Sequence, residues 1–512
     1  MQVTMQYMYF KKEKWNMPIN FNETLKTKFI ENFIKNVSNT NVSYYVGFGK
    51  NTPWEDDELP PNANNSVEAF HYNTQHDLIF GKRIYAPDVA QVARRIIWRT
   101  GIVYDQYNHK DKDLFYKNYY VINSSNRVYK CLFNNYGSPS TVMPEGNIII
   151  GDFDTGDGYK WKYIYTLPAA LDSKFTTLEY MAVTGDTDVI NYAESGAIHV
   201  CLVTNKGSGY ISANGQIDER VSDTVFKLPN TVTSSIVGAY NNSVFYTGGD
   251  PKLGSAIIQN YTTNSSGRYV VTNTPITNIE NNRFIITPQV KFTGDGKDAF
   301  AIASVDELHG EITGVHVISR GTGYNYCTTD IISNTFFGSG ATSYPIMSPK
   351  NGHGANNFFE LGCRTLGISV TTTRSDNFYD WVSYRQTSLL YNPTSSITGS
   401  TFKNVTFFNY TSITTSYIGN LIEGEIVKGS VSGAYGTVVY TTATKIYLRD
   451  IVGIFTPSEV ITGSISAESA GILSINNQDI IPYSADVLYC KNFSPISRQG
   501  ITTEQVKLYF SI

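Results

Sequence analysis

The chain has no paired-cysteine motif, no basic block, no metal-spaced histidines and no long apolar run, and each absence closes off a class of function. Its five cysteines, Cys131, Cys201, Cys327, Cys363 and Cys490, are odd in number and scattered, with no C-x-x-C pair. That argues against a disulfide framework and against a zinc site. Buried, reduced thiols in a cytoplasmically folded protein are the expectation. No segment approaches the ~20 apolar residues that a spanning helix needs. Residues 1–12 carry their charges after the apolar part and offer no small-residue cleavage site, so no signal peptide is expected. Residues 1–16 read as a detachable extension, with Met17 as a natural start. Lys and Arg number 40 against 44 Asp and Glu, a net charge of −4. A phosphate-binding surface shows as a basic stripe, so nucleic acid is not an expected partner. Charged residues are only 16%, too few for a coiled coil or a disordered chain.

What is abundant is aromatic and turn-forming. The chain holds 37 Tyr, 27 Phe and 41 Gly, a composition of strands joined by tight turns. The reading is a mainly β fold with a few helices (α+β), built on an antiparallel sheet or sandwich core carrying inserted β domains. At 512 residues it should divide into two to four domains. Leu25, Phe29, Ile30, Phe33 and Ile34 recur at spacings of three and four, predicting a helix over 22–36 with Asn22 as N-cap. Residues 42–49 read as a strand. An acidic loop bounded by prolines, 53–61, follows. Val89, Val92, Ala93, Ile96 and Ile97 after Pro87 predict a second helix over 87–98. Strand signals then alternate with turns at 128–133, 147–150 and 161–167.

Val203-Thr-Asn-Lys-Gly-Ser-Gly-Tyr210 recurs as Val317-Ile-Ser-Arg-Gly-Thr-Gly-Tyr324. The glycines read as turn positions needing positive φ, in matching hairpins of one inserted β domain over 186–345. Residues 396–482 have short strands separated by glycine and predict a small barrel or sandwich.

Candidate chemistry fails on spacing. Asp152-Phe-Asp-Thr-Gly-Asp-Gly158 resembles a calcium loop, but Gly156 and Tyr163 stand where ligands are required. It reads as an Asp/Gly turn. The seven histidines show no H-x-x-x-H, and there is no G-x-S-x-G elbow. His199 and Cys201 would share a strand face, with packing as the default. Gly207-Ser-Gly209 lacks the Lys-Ser/Thr of a phosphate loop. The cluster Glu55-Asp-Asp-Glu58 reads as a solvated loop or a docking feature for a basic neighbour. The residues thus point to no cofactor, no metal and no catalytic group.

Six segments, in order, carry a resemblance. They are Phe48-Gly-Lys-Asn-Thr-Pro-Trp54; Val92 to Trp98 with Val103 to Tyr107; Val128 to Leu132 with Gly156 to Tyr163; Gly352-His-Gly354 with Glu360-Leu-Gly362; Tyr384-Arg-Gln-Thr-Ser-Leu-Leu-Tyr-Asn-Pro393; and the tail from Asp486 through Arg498 to Phe510. Together they resemble the gene product 8 family, baseplate wedge subunits of T-even-type contractile-tailed bacteriophages. The resemblance covers roughly 20–185, 345–395 and 484–512, a little under half the chain. The implied organisation is an N-terminal extension (1–16), a wedge core in three parts (17–185, 346–395, 483–512) and two insertions (186–345, 396–482).

The resemblance implies a structural virion protein rather than an enzyme. It would be assembled in the host cytoplasm as a homodimer and joined to other wedge proteins of the gene product 6, 7, 10 and 53 types. No membrane and no nucleic acid partner are implied. Such a subunit would keep its own fold while neighbours turn about it during contraction. Structural or interface roles are expected for Phe48, Gly49, Trp54, Gly158, Trp161, Arg385 and Arg498. In the same motifs, Gly47 and Gly49 should take turn conformations, Trp54 should anchor the acidic loop, and Trp161 and Tyr163 should face the core. The rival reading is a tail-associated carbohydrate-binding or polysaccharide-degrading protein with sugar sites on the insertions; a secreted adhesin is a weaker third.

Overall fold

The first apolar stripe forms the helix its spacing predicts, Glu23–Val37. In the computed structural model, which describes residues 23–64, 66–378, 383–417, 419–496, 498 and 503–511, Ile30 is buried in a core while Leu25 and Phe29 are 39% and 47% exposed. The stripe is therefore narrower than the sequence suggests. Asn22, Met17 and Gly500 lie outside the described residues. The chain falls into two units, Met1–Val92 with Arg364–Ile512, and Ala93–Cys363. The fold is mainly β, with antiparallel sheets throughout.

The first unit is built on a five-stranded antiparallel sheet in the order Thr406–Phe408, Leu78–Ile84, Tyr44–Gly49, Tyr384–Tyr391, Asp486–Ile496. The strand Thr503–Ser511 pairs with Thr365–Thr373, which pairs in turn with residues 89–92. Val46, Phe48 and Phe80 from the first sheet share one core with Leu366, Ile368, Val506 and Leu508 from the second, and with Ile30 of the helix. Tyr45, on the opposite face of its strand, packs with Leu390, Phe402 and Phe407 in another core. The central strand is thus covered on both faces, which is why it reads as an apolar run rather than an alternation.

Three expectations need correction. Residues 87–98 are not helical: Pro87 sits in a short 3-10 turn, Ala86–Asp88, and Val89–Arg94 is a strand. Valine and alanine at three-residue spacing fit either element, and pairing with Thr365–Thr373 decided for strand. Residues 147–150 join no ladder; Ile148 and Ile150 are exposed and only Ile149 packs inward. Gly47 and Gly49 are strand residues, not turns. A Cβ on Gly47 would lie 2.4 Å from Ser388 Oγ, and one on Gly49 2.6 Å from the Asp77 carbonyl oxygen. Close approach of neighbouring strands explains both glycines.

In the second unit, Tyr120–Ile122, Arg127–Asn134, Tyr159–Thr166 and Phe153–Asp154 form a four-stranded sheet in that order. A six-stranded module follows: β1 Ile198–Asn205, β2 Gln289–Gly294, β3 Lys297–Asp306, β4 Glu311–Thr322, β5 Cys327–Ile332 and β6 Thr342–Met347. Their order is β4-β3-β2-β5-β6-β1. The sheet curls until its ends meet, the Ile312 N–H donating to the Lys206 carbonyl at 2.9 Å. Between β1 and β2, residues 213–287 build a separate seven-stranded sheet with a core of Phe226, Phe245, Ile258, Tyr261 and Phe284.

The first unit holds a closed barrel of β7 Thr411–Thr415, β8 Ile426–Gly429, β9 Tyr435–Thr441, β10 Lys445–Val452, β11 Val460–Gly463 and β12 Ser469–Asn476, ordered β10-β9-β8-β11-β12-β7. This is the strand order of the other module with six added to every number. In each module two three-stranded repeats exchange their first strands across a central antiparallel pair, β2 with β5 and β8 with β11. The recurring G-x-G-Y belongs to this symmetry. Gly207 and Gly321 both have φ 62°, Gly209 and Gly323 have 78° and 79°, and each pair closes the first strand of a repeat rather than a hairpin.

Candidate functional site

The resemblance residues of the first unit meet one another. The Trp54 indole N–H donates to the Phe493 carbonyl at 3.2 Å, its backbone N–H donates to Asp57 Oδ1 at 2.8 Å, and the Lys50 ammonium lies 5.0 Å from its ring centre. Arg385, 8% exposed at its side chain, grips Asp57 with two donors at 2.7 Å and also donates to the Asn51 carbonyl. Asp57 is therefore held below the ordinary carboxylate range, chiefly by the Arg385 hydrogen bonds. Of the acidic loop, Glu55, Asp56 and Glu58 are exposed as expected, while Asp57 has its basic partner within the same chain. Arg498 donates to Glu504 at 2.8 Å, both side chains almost wholly buried, with its guanidinium 3.8 Å from the Phe378 ring centre. The Tyr384 hydroxyl donates to the other oxygen of Glu504. Phe48 is fully buried against Phe80, Phe378 and Tyr384.

In the second unit, Trp161 and Tyr163 are buried at alternate positions of Tyr159–Thr166, packed with Tyr104 and Tyr129. Gly158 has φ 82° and leaves room for the Asn135 side chain. It ends the Asp/Gly turn, in which the Thr141 and Val142 N–H groups and the Ser140 hydroxyl converge on Asp157 Oδ2 at 2.7–3.0 Å. Burial raises the Asp157 carboxyl, but these donors and Thr155 bring it down to about 2.

A buried polar chain runs from this turn into the interior, and no spacing in the sequence announces it. Lys160 bridges Asp152 and Asp154 at 2.9 Å each. Asp152 Oδ1 lies 2.6 Å from His199 Nδ1, and the His199 ring is 5.2 Å from that of His353. Lys130, with no exposed side-chain surface, donates to His353 Nδ1 at 3.1 Å and to Glu360, and sits over the Tyr107 ring. Glu360 Oε1 also takes the Gly354 N–H at 2.8 Å, and its carbonyl takes the Tyr119 hydroxyl at 2.5 Å. The motif Gly352-His-Gly354 is thereby fastened to the sheet. Burial and the neighbouring cations hold His353 well below its ordinary value, and burial lowers His199 likewise. Both are neutral at pH 7, so this chain stores the ion pairs of Lys160 and Lys130 rather than a mobile proton. Enclosed as it is, its chemistry is positional. Cys201 packs with Ile198, Tyr324, Cys327 and Met347, its thiol pushed up to about 12 by burial. All five cysteines are buried.

The open feature is a cleft of about 630 Å³ in the first unit, walled by Gln75 and His76 on one side and by the barrel residues Arg449, Asp450 and Ile454 on the other, with Tyr483 at its rim. A second hollow of about 420 Å³ shares His76 and Arg449. Between them lies an ion cluster. His76 Nδ1 is 3.3 Å from Asp77, His76 Nε2 is 3.2 Å from Asp450, Lys50 is 3.5 Å from Asp77, and Arg449 stands 3.6–3.7 Å from both carboxylates. The Asp77 hydrogen bond raises the His76 pKa, against the cost of burial. Among the described residues, no group of three or more His, Cys, Asp or Glu is placed to hold a metal ion.

No protein-family model matches the chain, and no curated protein is significantly similar to it.

Proposed function

We propose that this chain is a structural subunit of the baseplate wedge of a contractile phage tail, a homodimer that joins other wedge proteins of the gene product 6, 7, 10 and 53 types. It belongs to the virion and is assembled in the host cytoplasm. One observation carries the reading. Segments resembling the wedge family, hundreds of residues apart in sequence, converge on one sheet: Tyr44–Gly49 pairs with Tyr384–Tyr391, which pairs with Asp486–Ile496. Trp54, Arg385 and Phe493 then lock the loop beside it. The residues of the resemblance are spent on a rigid frame, as a load-transmitting subunit requires. Interspersed β modules with their own cores are tolerated as insertions because loop closure costs little extra with length.

The test is cross-linking mass spectrometry on intact tails before and after contraction. The proposal expects this chain cross-linked to itself and to wedge neighbours, with intrachain links within each unit unchanged by contraction. Absence of the chain from purified tails would overturn it.

A further inference from the structure

The cleft beside the barrel is furnished as a binding site. Its volume, about 630 Å³, falls within the range of small-ligand pockets, about 300–1,000 Å³. Its charged groups pair with one another, but part of its polar lining is unspent. Asn409, one of its wall residues, has a buried Oδ1 with no hydrogen-bond partner among the described residues. The side-chain amides of Asn477 and Gln478 and the Tyr483 hydroxyl have no partner among the described residues. These three side chains are exposed or half-exposed and stand open to a ligand, while the buried Asn409 acceptor is costly to leave unmet.

The backbone is strained at the same place. Asp450, inside β10, has φ 52°, and Tyr483 has φ 60°. A left-handed tyrosine is unusual, and strain of this kind gathers where side chains are aimed for use. Tyr483 stands 40% exposed with its ring 6.0 Å from that of the half-exposed Tyr72, presenting an aromatic pair at the rim.

The mixture of groups selects the ligand. An anion would call for donors alone, yet Asp450 and the Asn477 and Gln478 amide oxygens are acceptors. A cation would call for acceptors alone, yet Arg449 and the two amides donate. An extended peptide needs an open strand edge, and β10 is paired on both sides in a closed barrel. Vicinal hydroxyls donate and accept at once, match planar amide, carboxylate and guanidinium groups in pairs, and leave an apolar C–H face for an aromatic ring. We propose that this cleft binds a neutral, hydroxyl-rich ligand, a short stretch of polysaccharide. The inference stands on the cleft alone and does not need the wedge reading.

The experiment uses the full chain with maltohexaose, isomaltohexaose and chitotetraose, read by saturation-transfer NMR and calorimetry, alongside an array of bacterial surface glycans. Glutamate hexapeptide and inorganic phosphate serve as competing probes. At least one glycan should bind, and Gln478→Ala and Tyr483→Asn should each weaken it tenfold or more. Asparagine tolerates the left-handed backbone, and an unchanged melting curve certifies the fold. Failure of every glycan to bind, binding untouched by both substitutions, or occupation of the cleft by the peptide or phosphate in place of glycan would overturn the proposal.

Discussion

Glu425 and Glu459 each close the turn of the other's repeat. The Glu459 carboxylate accepts from the Val431 and Ser432 N–H groups at 3.0 and 2.9 Å and from the Ser432 hydroxyl. Glu425 accepts from the Ile465 and Ser466 N–H groups at 3.0 Å and from the Ser466 hydroxyl. Both are almost completely buried. Two buried carboxylates, exchanged across the β8–β11 pair, staple the halves of the barrel together.

Reciprocity makes a sharp prediction. Glu459→Gln removes the charge that strengthens its bonds, and charge-assisted bonds of this kind are worth about 1.5–3 kcal/mol. Amide exchange should accelerate at Val431 and Ser432 while Ile465 and Ser466 keep their protection, and Glu425→Gln should show the mirror image. Equal acceleration of both turns by either substitution would refute the pairing. Burial raises the Glu459 carboxyl, yet its donors hold it at about 2, below the ordinary value of about 4.3. Its stabilisation is therefore full above pH ~5 and lost as the pH falls towards 2.

Gly429 and Gly463 make room for these carboxylates. A Cβ on Gly429 would lie 2.6 Å from Glu459 Oε2, and one on Gly463 2.4 Å from Glu425 Oε2. Gly429→Ala should therefore lower the barrel's melting temperature, and combining it with Glu459→Ala should cost less than the sum of the two. Thermal melts of the three variants measure this coupling, and strict additivity would mean that the methyl group and the carboxylate do not compete.

Arg498 and Glu504 form a pair of a costlier kind, sealed between Phe378 and Tyr384. Arg498→Met strands a buried carboxylate and should destabilise by about 3–5 kcal/mol. The double variant Arg498→Met/Glu504→Leu leaves no bare charge and should recover most of that loss, apart from the unpaired Tyr384 hydroxyl. Urea midpoints of the single and double variants decide it.

The acidic loop depends on Arg385. Arg385→Lys keeps the charge but cannot supply two parallel donors to Asp57. Limited proteolysis should then cut within residues 55–62, where the parent chain resists. Because Asp57 is held below the ordinary carboxylate range, acidification of the parent should release the loop only below that range. Release already at the ordinary aspartate pKa would show that the salt bridge contributes nothing.

Strands were legible wherever one residue's neighbours carried the signal. Residues 42–49, 128–133 and 161–167 announced themselves by aromatic and β-branched runs, and all three lie in ladders. The strand at 89–94 is ambiguous in sequence because Val89 and Val92 satisfy a helical spacing, and only the partner strand distinguishes the two. The barrel's duplication was present as a constant offset of 34 positions, matching Ile422, Glu425, Gly429 and Ser432 to Thr456, Glu459, Gly463 and Ser466. It is not legible in sequence because a lone glutamate before a strand has no meaning until its partner turn is known. The chain from Asp152 to Glu360 was further out of reach. Lys130 meets His353 and Glu360 across 223 and 230 positions, and no local pattern encodes a contact of that span.

That buried chain sets how the second unit answers to acid. The Lys130 ammonium points at His353 Nδ1, so this nitrogen must keep its lone pair and the imidazole must stay neutral. Burial first, then Lys130, His199 and Lys162, lower the His353 pKa; Glu360 and Asp152 pull the other way without prevailing. A histidine neutral in the fold but free to protonate when unfolded withdraws stability as the pH drops below about 6.5. His199 adds to the same trend, since its own pKa is lowered. Lys162, pushed down to about 8 mainly by burial, works at the other end: its penalty is full below 8 and lifts as the pH rises towards 10. Stability of this unit should therefore fall from pH 7 to pH 5; above pH 8 the relief at Lys162 is opposed by the buried thiols of Cys131, Cys201, Cys327 and Cys363, whose raised pKa values withdraw stability once the unfolded thiols ionise. His353→Gln, whose amide oxygen can still accept from Lys130, should flatten the acid limb and leave the alkaline limb alone. Urea midpoints across pH 5–10 separate the two, and an acid limb of undiminished slope in the variant would remove His353 from the account.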